Sequence, residues 1–406
     1  MTATSSAPLA GVVMLDLTHM LSGPYGTMLL TDLGATTIKV EPPGRGEGTR
    51  ELLANSAAFS RDGMGAYFLT LNRGKQSVAL DLKSPEGLAV FYDLVRAADV
   101  VFDNFSAGVT AKLKIDHATL AAINPRIITC TVSGFGETGP DNQRPAFDQV
   151  VQAMGGGMSI TGEPDMVPQR AGIPIGDLGG GMFGAMGVLA ALVSRGQTGV
   201  GQHVDISMLD VQVSLLNYMA TMYLMSGEVP QRIGNSHFVH VPYNTYPTSD
   251  GHVVIACIGD AFFEKFRQML PLPLLLREEY SRQPARLRDK AQIDAAIADE
   301  LCKEPSAVWL ARLREARIPC APVNNFAQAL SDTQVLSRDM VITVPLPGGG
   351  TVQMPGNPIK LTGMTQASYT APPRLGQHTR AVLSSRLHYS AEHIDALLGR
   401  AAVAQG

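Results

Sequence analysis

The feature that most constrains this chain is a run of short apolar segments alternating with stretches of helical periodicity through its first third. Val12 to Leu17 reads as a buried strand, Gly26 to Leu33 as a short helix ended by Gly34, and Thr36 to Glu41 as a second strand. The pattern continues with a helix over Pro85 to Ala98, a strand over Val100 to Asn104, a helix over His117 to Ile123 and a strand over Ile127 to Ser133. Strands separated by helices favour an open α/β sheet with helices on both faces. The expected fold class is therefore α/β: a large Rossmann-like open-sheet domain plus a smaller α/β domain.

A chain of 406 residues is long enough for two or more domains. Residues 1–227 are expected to form the large domain, 228–330 the small one, and 331–406 a linker hairpin with a C-terminal return to the large domain. In the small domain Thr248 to Gly251 is a turn, His252 to Ile258 a strand, and Ala261 to Leu270 a helix, with charged helical patterns from Arg277 to Ala316. Ile342 to Pro345 and Thr351 to Met354, separated by Gly348 to Gly350, read as the hairpin. Pro42 to Gly48 is a loop after the carboxyl end of a strand, either a plain surface loop or part of a ligand rim.

Composition excludes several function classes. With 45% hydrophobic and 17% charged residues and a net charge of −4, nothing resembles a disordered tail or a nucleic-acid-binding surface. The four cysteines, Cys130, Cys257, Cys302 and Cys320, lack metal-ligand spacing, which argues for buried thiols in a reducing compartment and against structural zinc. Met1 to Leu9 lacks the basic start and apolar run of a signal peptide, so a cytoplasmic location is expected. Val211 to Met225 is too short to span a bilayer and reads as a buried core or interface helix, so no membrane is expected as a partner.

One carboxylate stands out. Asp177 lies between Gly176 and the run Gly179 to Gly181, just before the apolar helical stretch Met182 to Val193. Aspartate there is a common N-cap. It is equally a position for a carboxylate nucleophile, since a helix N-terminus favours the anion and glycines admit backbone donors close to a bound carbonyl. Other motifs are weak: Ser22 to Gly26 lacks the full spacing of a dinucleotide-binding loop, and no GxSxG pentapeptide is present for a serine hydrolase.

Several stretches together carry a resemblance: Leu15 to His19 with Ser22 to Pro24, Asp32 to Ala35, Ile38 to Glu41, Leu71 to Lys75, Leu80 to Lys83, Asp103 to Phe105, Ser133 to Gly136 and Ile175 to Asp177. Thr198 to Gln202, Ile318 to Asn324, Pro347 to Gly350 and Leu375 to Thr379 extend it over nearly the whole length. The chain resembles the class III CoA-transferases, the family of formyl-CoA transferase and carnitine CoA-transferase. The resemblance implies that Asp177 is the nucleophile. It implies that CoA or acyl-CoA, a substrate rather than a bound cofactor, contacts Leu21, Ser22, Leu80, Lys83, Asn104, Phe105, Ser106, Lys112, Phe147 and Asp148, with Lys83 and Lys112 on phosphate. Arg45, Arg73 and Lys75 are reserve candidates. It also implies an interlocked homodimer or a heteromer with a related subunit, and no metal.

The departures are informative. Pro42 and Lys112 stand where formyl-CoA transferase has arginines, and Leu21 where it has glutamine. The related α-methylacyl-CoA racemase needs a histidine where this chain has Phe147, and a phenylalanine cannot take a proton. CoA transfer is thus expected over racemisation, with Asp148 orienting a backbone or substrate group. A thioesterase and a non-catalytic CoA-binding subunit are the remaining alternatives. Backbone donors near Gly179 to Gly181, or from the loop at Gly234, are expected to hold the oxyanion. His237, His240, Tyr243 and Asn244, which are plain loop residues or part of the acceptor pocket, together with Arg144 or Arg170, would suit a dicarboxylic acceptor such as a succinyl-CoA-type system uses.

Overall fold

A computed structural model describes residues 7–364 and 369–406; of the N-terminal stretch Met1 to Leu9, the first six residues therefore lie outside the described part. In chain order the first unit contributes β1 (Val13–Asp16), α1 (Ser22–Asp32), β2 (Thr36–Glu41), α2 (Ala66–Asn72), β3 (Gln76–Leu80), α3 (Pro85–Arg96), β4 (Val100–Asp103), α4 (His117–Ile123), β5 (Ile128–Ser133), α5 (Asp148–Met154), α6 (Ile175–Thr198), β6 (His203–Ser207), α7 (Met208–Leu215) and α8 (Asn217–Ser226). The second unit holds a three-stranded antiparallel sheet of β7 (Tyr243–Pro247), β8 (His252–Ala256) and β9 (Cys320–Pro322), with helices that include Asp260–Met269, Lys290–Leu301 and Ser306–Glu315. The chain then makes the antiparallel hairpin of β10 (Val341–Pro345) and β11 (Thr351–Pro355) and ends on β12 (Val403–Ala404).

The large sheet has the order β12-β3-β2-β1-β4-β5-β6. All pairs are parallel except the last strand, which returns antiparallel along β3 with Val403 opposite Leu80. The central strands are buried along most of their length because both faces are covered, and their few charged residues, such as Asp16 and Lys39, are buried with them. Leu15, Ile38, Val78 and Val101 point into one core with Phe91 and Leu94 of α3. Met14, Phe102, Ile128 and Cys130 point into the other, with Leu30 of α1 and Val188 of α6. Strand order reverses between β1 and β4, and the crevice at the carboxyl ends of strands flanking such a reversal is where open α/β sheets bind ligands.

Four expectations need correction. The helix after Asp177 starts at Ile175, not Met182, and α1 starts at Ser22, not Gly26. Asp177 therefore sits inside the first turn of α6 and is not its N-cap; that position is Pro174. Val211 to Met225 is no single buried helix. It breaks at Asn217, which takes a positive φ of 48°, and α8 buries none of its residues. Last, the second unit takes Met158–Gln169 as well as Met225–Thr333, a stretch the sequence alone leaves in the large domain. At 24 residues α6 is long and apolar enough to cross a membrane, yet Arg195 near its end pairs with Asp99 at 2.9 Å and its glycine face packs against α1.

Candidate active site

The cleft at the β1/β4 reversal is built from two loops that the sheet itself fixes. After β1 the chain turns through Met20 at a φ of 62° before α1 begins. Left-handed backbone at a non-glycine residue needs external support. Asn104, just past β4, supplies it: its Oδ1 accepts from the His19 N–H at 2.9 Å and its Nδ2 donates to the His19 carbonyl at 2.7 Å. Asn104 thus uses its amide to hold the His19 peptide from both sides. The β4 loop is held in turn by Asp103, which accepts from the Phe105 N–H at 3.1 Å and the Thr131 hydroxyl at 2.9 Å. Burial pushes the Asp103 carboxyl up to about 7, against the two hydrogen bonds that lower it.

Leu21, Ser22, Asn104, Phe105, Ser106, Phe147 and Asp177 all line this cleft. Ser22 Oγ is buried there without a hydrogen-bond partner, an expensive state for a hydroxyl. Phe147, 71% exposed, brings an apolar ring to the cleft wall. His19 and Arg144 line the cleft as well, Arg144 paired with Asp141 at 2.6 Å.

Asp177 projects from α6, and the glycines around it are packing residues. A Cβ on Gly181 would lie 2.4 Å from the Ser22 carbonyl oxygen, one on Gly180 2.7 Å from Ser22 Oγ, and one on Gly179 2.8 Å from Val211. They let α6 approach α1 and α7. Their N–H groups belong to the helix ladder, so Gly179 to Gly181 do not supply free oxyanion donors. Gly234 is also committed, its N–H donating to the Gly162 carbonyl at 3.1 Å. The open N–H groups at the helix start go to Asp148: its Oδ1 accepts from Gly176 at 2.8 Å and from Asp177 at 3.4 Å, and its Oδ2 from Gln152 at 2.7 Å. Asp148 therefore caps α6, and the N–H groups at the helix start are spent on it rather than left open toward the Asp177 anion. Burial, and then the negative charge of Asp148, push the Asp177 carboxyl up to about 6. Tyr67 of α2 responds to the same pair: burial, with Asp177, Glu47 and Asp148, pushes its phenol up to about 12. Sequence reasoning missed Tyr67, whose only sequence signal is its place in the apolar run before Leu71 to Lys75.

The remaining candidates divide sharply. Lys75 is buried 2.8 Å from Asp16 Oδ2, with Lys39 4.0 Å from the same oxygen. Burial lowers Lys75 to about 8, partly offset by Asp16. Arg73 is buried against Asp32 at 2.6 Å. Neither is available to phosphate. Leu80 is 1% exposed in the sheet core and can contact no ligand with its side chain. Lys83 and Lys112 do come together, around a second hollow that also has Lys114 and Tyr92. Pro42 to Gly48 does not line the cleft; its Glu47 accepts from the Met20 N–H at 3.4 Å and so holds the rim from behind. Arg170 bonds the Ala171 and Gly172 carbonyls. In the second unit His237 and His240 stack at 4.6 Å, with Tyr243 5.0 Å from His237.

The description "CoA-transferase family III" fits residues 9–379 of the chain as a family model. The chain belongs to CoA-transferase family III. This transferase is 39% identical, over 89% of its own length and 91% of the other's, to the acetyl-CoA:oxalate CoA-transferase of Acetobacter aceti. It is 36% identical to the succinate–glutarate CoA-transferase of Agrobacterium fabrum, over 93% of this chain and 95% of that one. The crystal structure of a CAIB/BAIF family protein from Brucella suis superposes with a TM-score of 0.83 at 36% identity, over 93% of this chain and 99% of that one. The racemase departure at Phe147 therefore sits on a transferase, at a wall of its cleft.

Proposed function

We propose that this transferase moves CoA from an acyl-CoA to a dicarboxylic acid through covalent catalysis by Asp177. The observation that carries the reading is the position of a buried carboxylate, its pKa raised to about 6, on the wall of the switch-point cleft. Above pH 7 such a group is mostly ionised and more basic than an ordinary aspartate, as a nucleophile requires. Asp177 attacks the thioester carbonyl, giving a mixed anhydride and CoA thiolate. The thiolate attacks the aspartyl carbonyl, forming an aspartyl-CoA thioester and releasing the donor acid. The acceptor carboxylate then attacks that thioester to form a new anhydride, and the thiolate takes the acceptor's acyl group and frees Asp177. Every step trades one activated acyl bond for another, so no thioester energy is lost to water.

CoA would run from this cleft to the Lys83–Lys112 hollow. The segment from Asn104 to Lys112 joins the two, and ammonium groups on flexible stems suit phosphates. Arg144 at the cleft is suited to an acceptor's second carboxylate. The named substrates of the two relatives, oxalate and glutarate, are both dicarboxylic acids. A homodimer is part of the same reading: Met186 of α6 and Leu224 and Met225 of α8 leave apolar surface exposed. The four free cysteines suit a reducing compartment. The test is to incubate the protein with succinyl-CoA and a panel of mono- and dicarboxylic acids and separate the CoA esters. A new acyl-CoA formed only with a dicarboxylic acid is expected. Free succinate and CoA at the same rate without any acceptor would mark a thioesterase instead.

A further inference from the structure

We infer that Asp148 is a positioning residue for the reaction, acting through the backbone of α6 and the charge it holds beside Asp177. The inference rests on Asp177 being the nucleophile.

Asp148 is the first residue of α5, and its carboxylate is shared between two helices. Oδ1 takes the Gly176 and Asp177 N–H groups, two of the donors at the start of α6 that lack intrahelical acceptors. Oδ2 takes the Gln152 amide at 2.7 Å, and Gln152 Oε1 takes the Ala171 N–H at 2.9 Å. One carboxylate thereby fixes the segment entering α6, the helix start, and the peptide unit that carries the nucleophile. The fit is tight: a Cβ on Gly176 would lie 3.0 Å from Asp148 Oδ1 and 2.7 Å from Val151. Glycine at 176 is the residue that lets the carboxylate reach the backbone.

Asp148 also puts negative charge beside Asp177. The titratable groups around Asp177 are Asp148 from α5 and Tyr67 from α2, which also feels Glu47, while His19 and Arg144 line the same cleft. A like charge disfavours the ionised nucleophile and makes it more basic. The same group that aims the helix thus adds to the burial that raises the nucleophile's pKa.

The two effects separate by substitution. Asp148→Asn keeps an oxygen for the helix N–H groups and removes the charge; Asp148→Ala removes both. The expected result is that Asp148→Ala loses about 100-fold in kcat, the scale of a misplaced reacting group, with KM for acyl-CoA changed less than about threefold. Asp148→Asn should recover most of that kcat, and the acidic limb of its kcat/KM profile should move to lower pH. Gln152→Ala, which leaves the charge, should leave that limb in place. An unmoved limb in Asp148→Asn, or an Asp148→Ala enzyme with native kcat, overturns the inference. Retained turnover in Asp177→Ala would instead overturn the nucleophile itself, so the two failures are distinguishable.

Discussion

At the residue scale the central fact is a carboxylate that burial and a like charge hold above its ordinary range. The pKa of Asp177 is raised to about 6 in the folded protein, so the native state binds its proton more tightly than the unfolded chain does. Ionised Asp177 therefore destabilises the fold: the cost is absent below the unfolded pKa, grows as pH rises, and is complete above about 6. Two results follow from one number. The rate constant kcat/KM should rise with pH through about 6 and then level off. Asp177→Asn should be more stable than the native protein at pH 8, by roughly 2 to 3 kcal/mol at most, and the gain should shrink toward zero near pH 4. Denaturant midpoints at the two pH values check it; equal stability at pH 8 would mean the carboxyl is not perturbed. Asp177 was legible in the sequence as a lone acid among glycines, but not its surroundings. The capping bonds from Gly176 and Asp177 end on Asp148, 28 and 29 residues earlier in the chain, and no local pattern announces a cap supplied from that distance.

At the element scale the site depends on how closely α1 and α6 approach. This is glycine chemistry: the Gly181 Cα stands where a Cβ would meet backbone, 2.4 Å from the Ser22 carbonyl oxygen and 3.0 Å from the Gly26 nitrogen. Backbone cannot step aside as a side chain can. Gly181→Ala should destabilise the protein by about 1 to 3 kcal/mol, the usual penalty for overpacking, and should lower activity by moving Ser22 and Asp177 apart. Thermal midpoints and kcat for Gly181→Ala against Gly196→Ala, where nothing lies within 4 Å of the added Cβ, make the comparison. Most strands were readable from their apolar runs, because a sheet covered on both faces writes its burial into consecutive residues. Helix starts were less so. Glycines at 176 and 179 to 181 lower helix propensity, so the stretch before Met182 reads as loop; packing against α1 and α7 overrides that preference.

At the scale of the whole molecule, the order β3-β2-β1-β4-β5-β6 fixes the crevice, and the loops after β1 and β4 furnish its walls. Leu21, Ser22, Asn104, Phe105, Ser106 and Phe147, far apart in the chain, meet there around Asp177. Lys83 and Lys112 meet at a second hollow. The sequence could suggest these groups, but not that Leu80 would be sealed in the core, or that Arg73 and Lys75 would be spent on Asp32 and Asp16. Burial of a cation is decided by which carboxylate lies across the sheet, and Asp16 and Lys75 are joined only when β1, α1 and β3 come together. Across all three scales the proposed reaction rests on a covalent bond to one side chain. The most direct measurement is peptide mass spectrometry of the protein quenched during turnover of succinyl-CoA with an acceptor acid. CoA joined with loss of water to the peptide containing Asp177 is expected, and neither adduct nor exchange in Asp177→Ala. Undiminished exchange by Asp177→Ala, or an adduct on another residue, would contradict it.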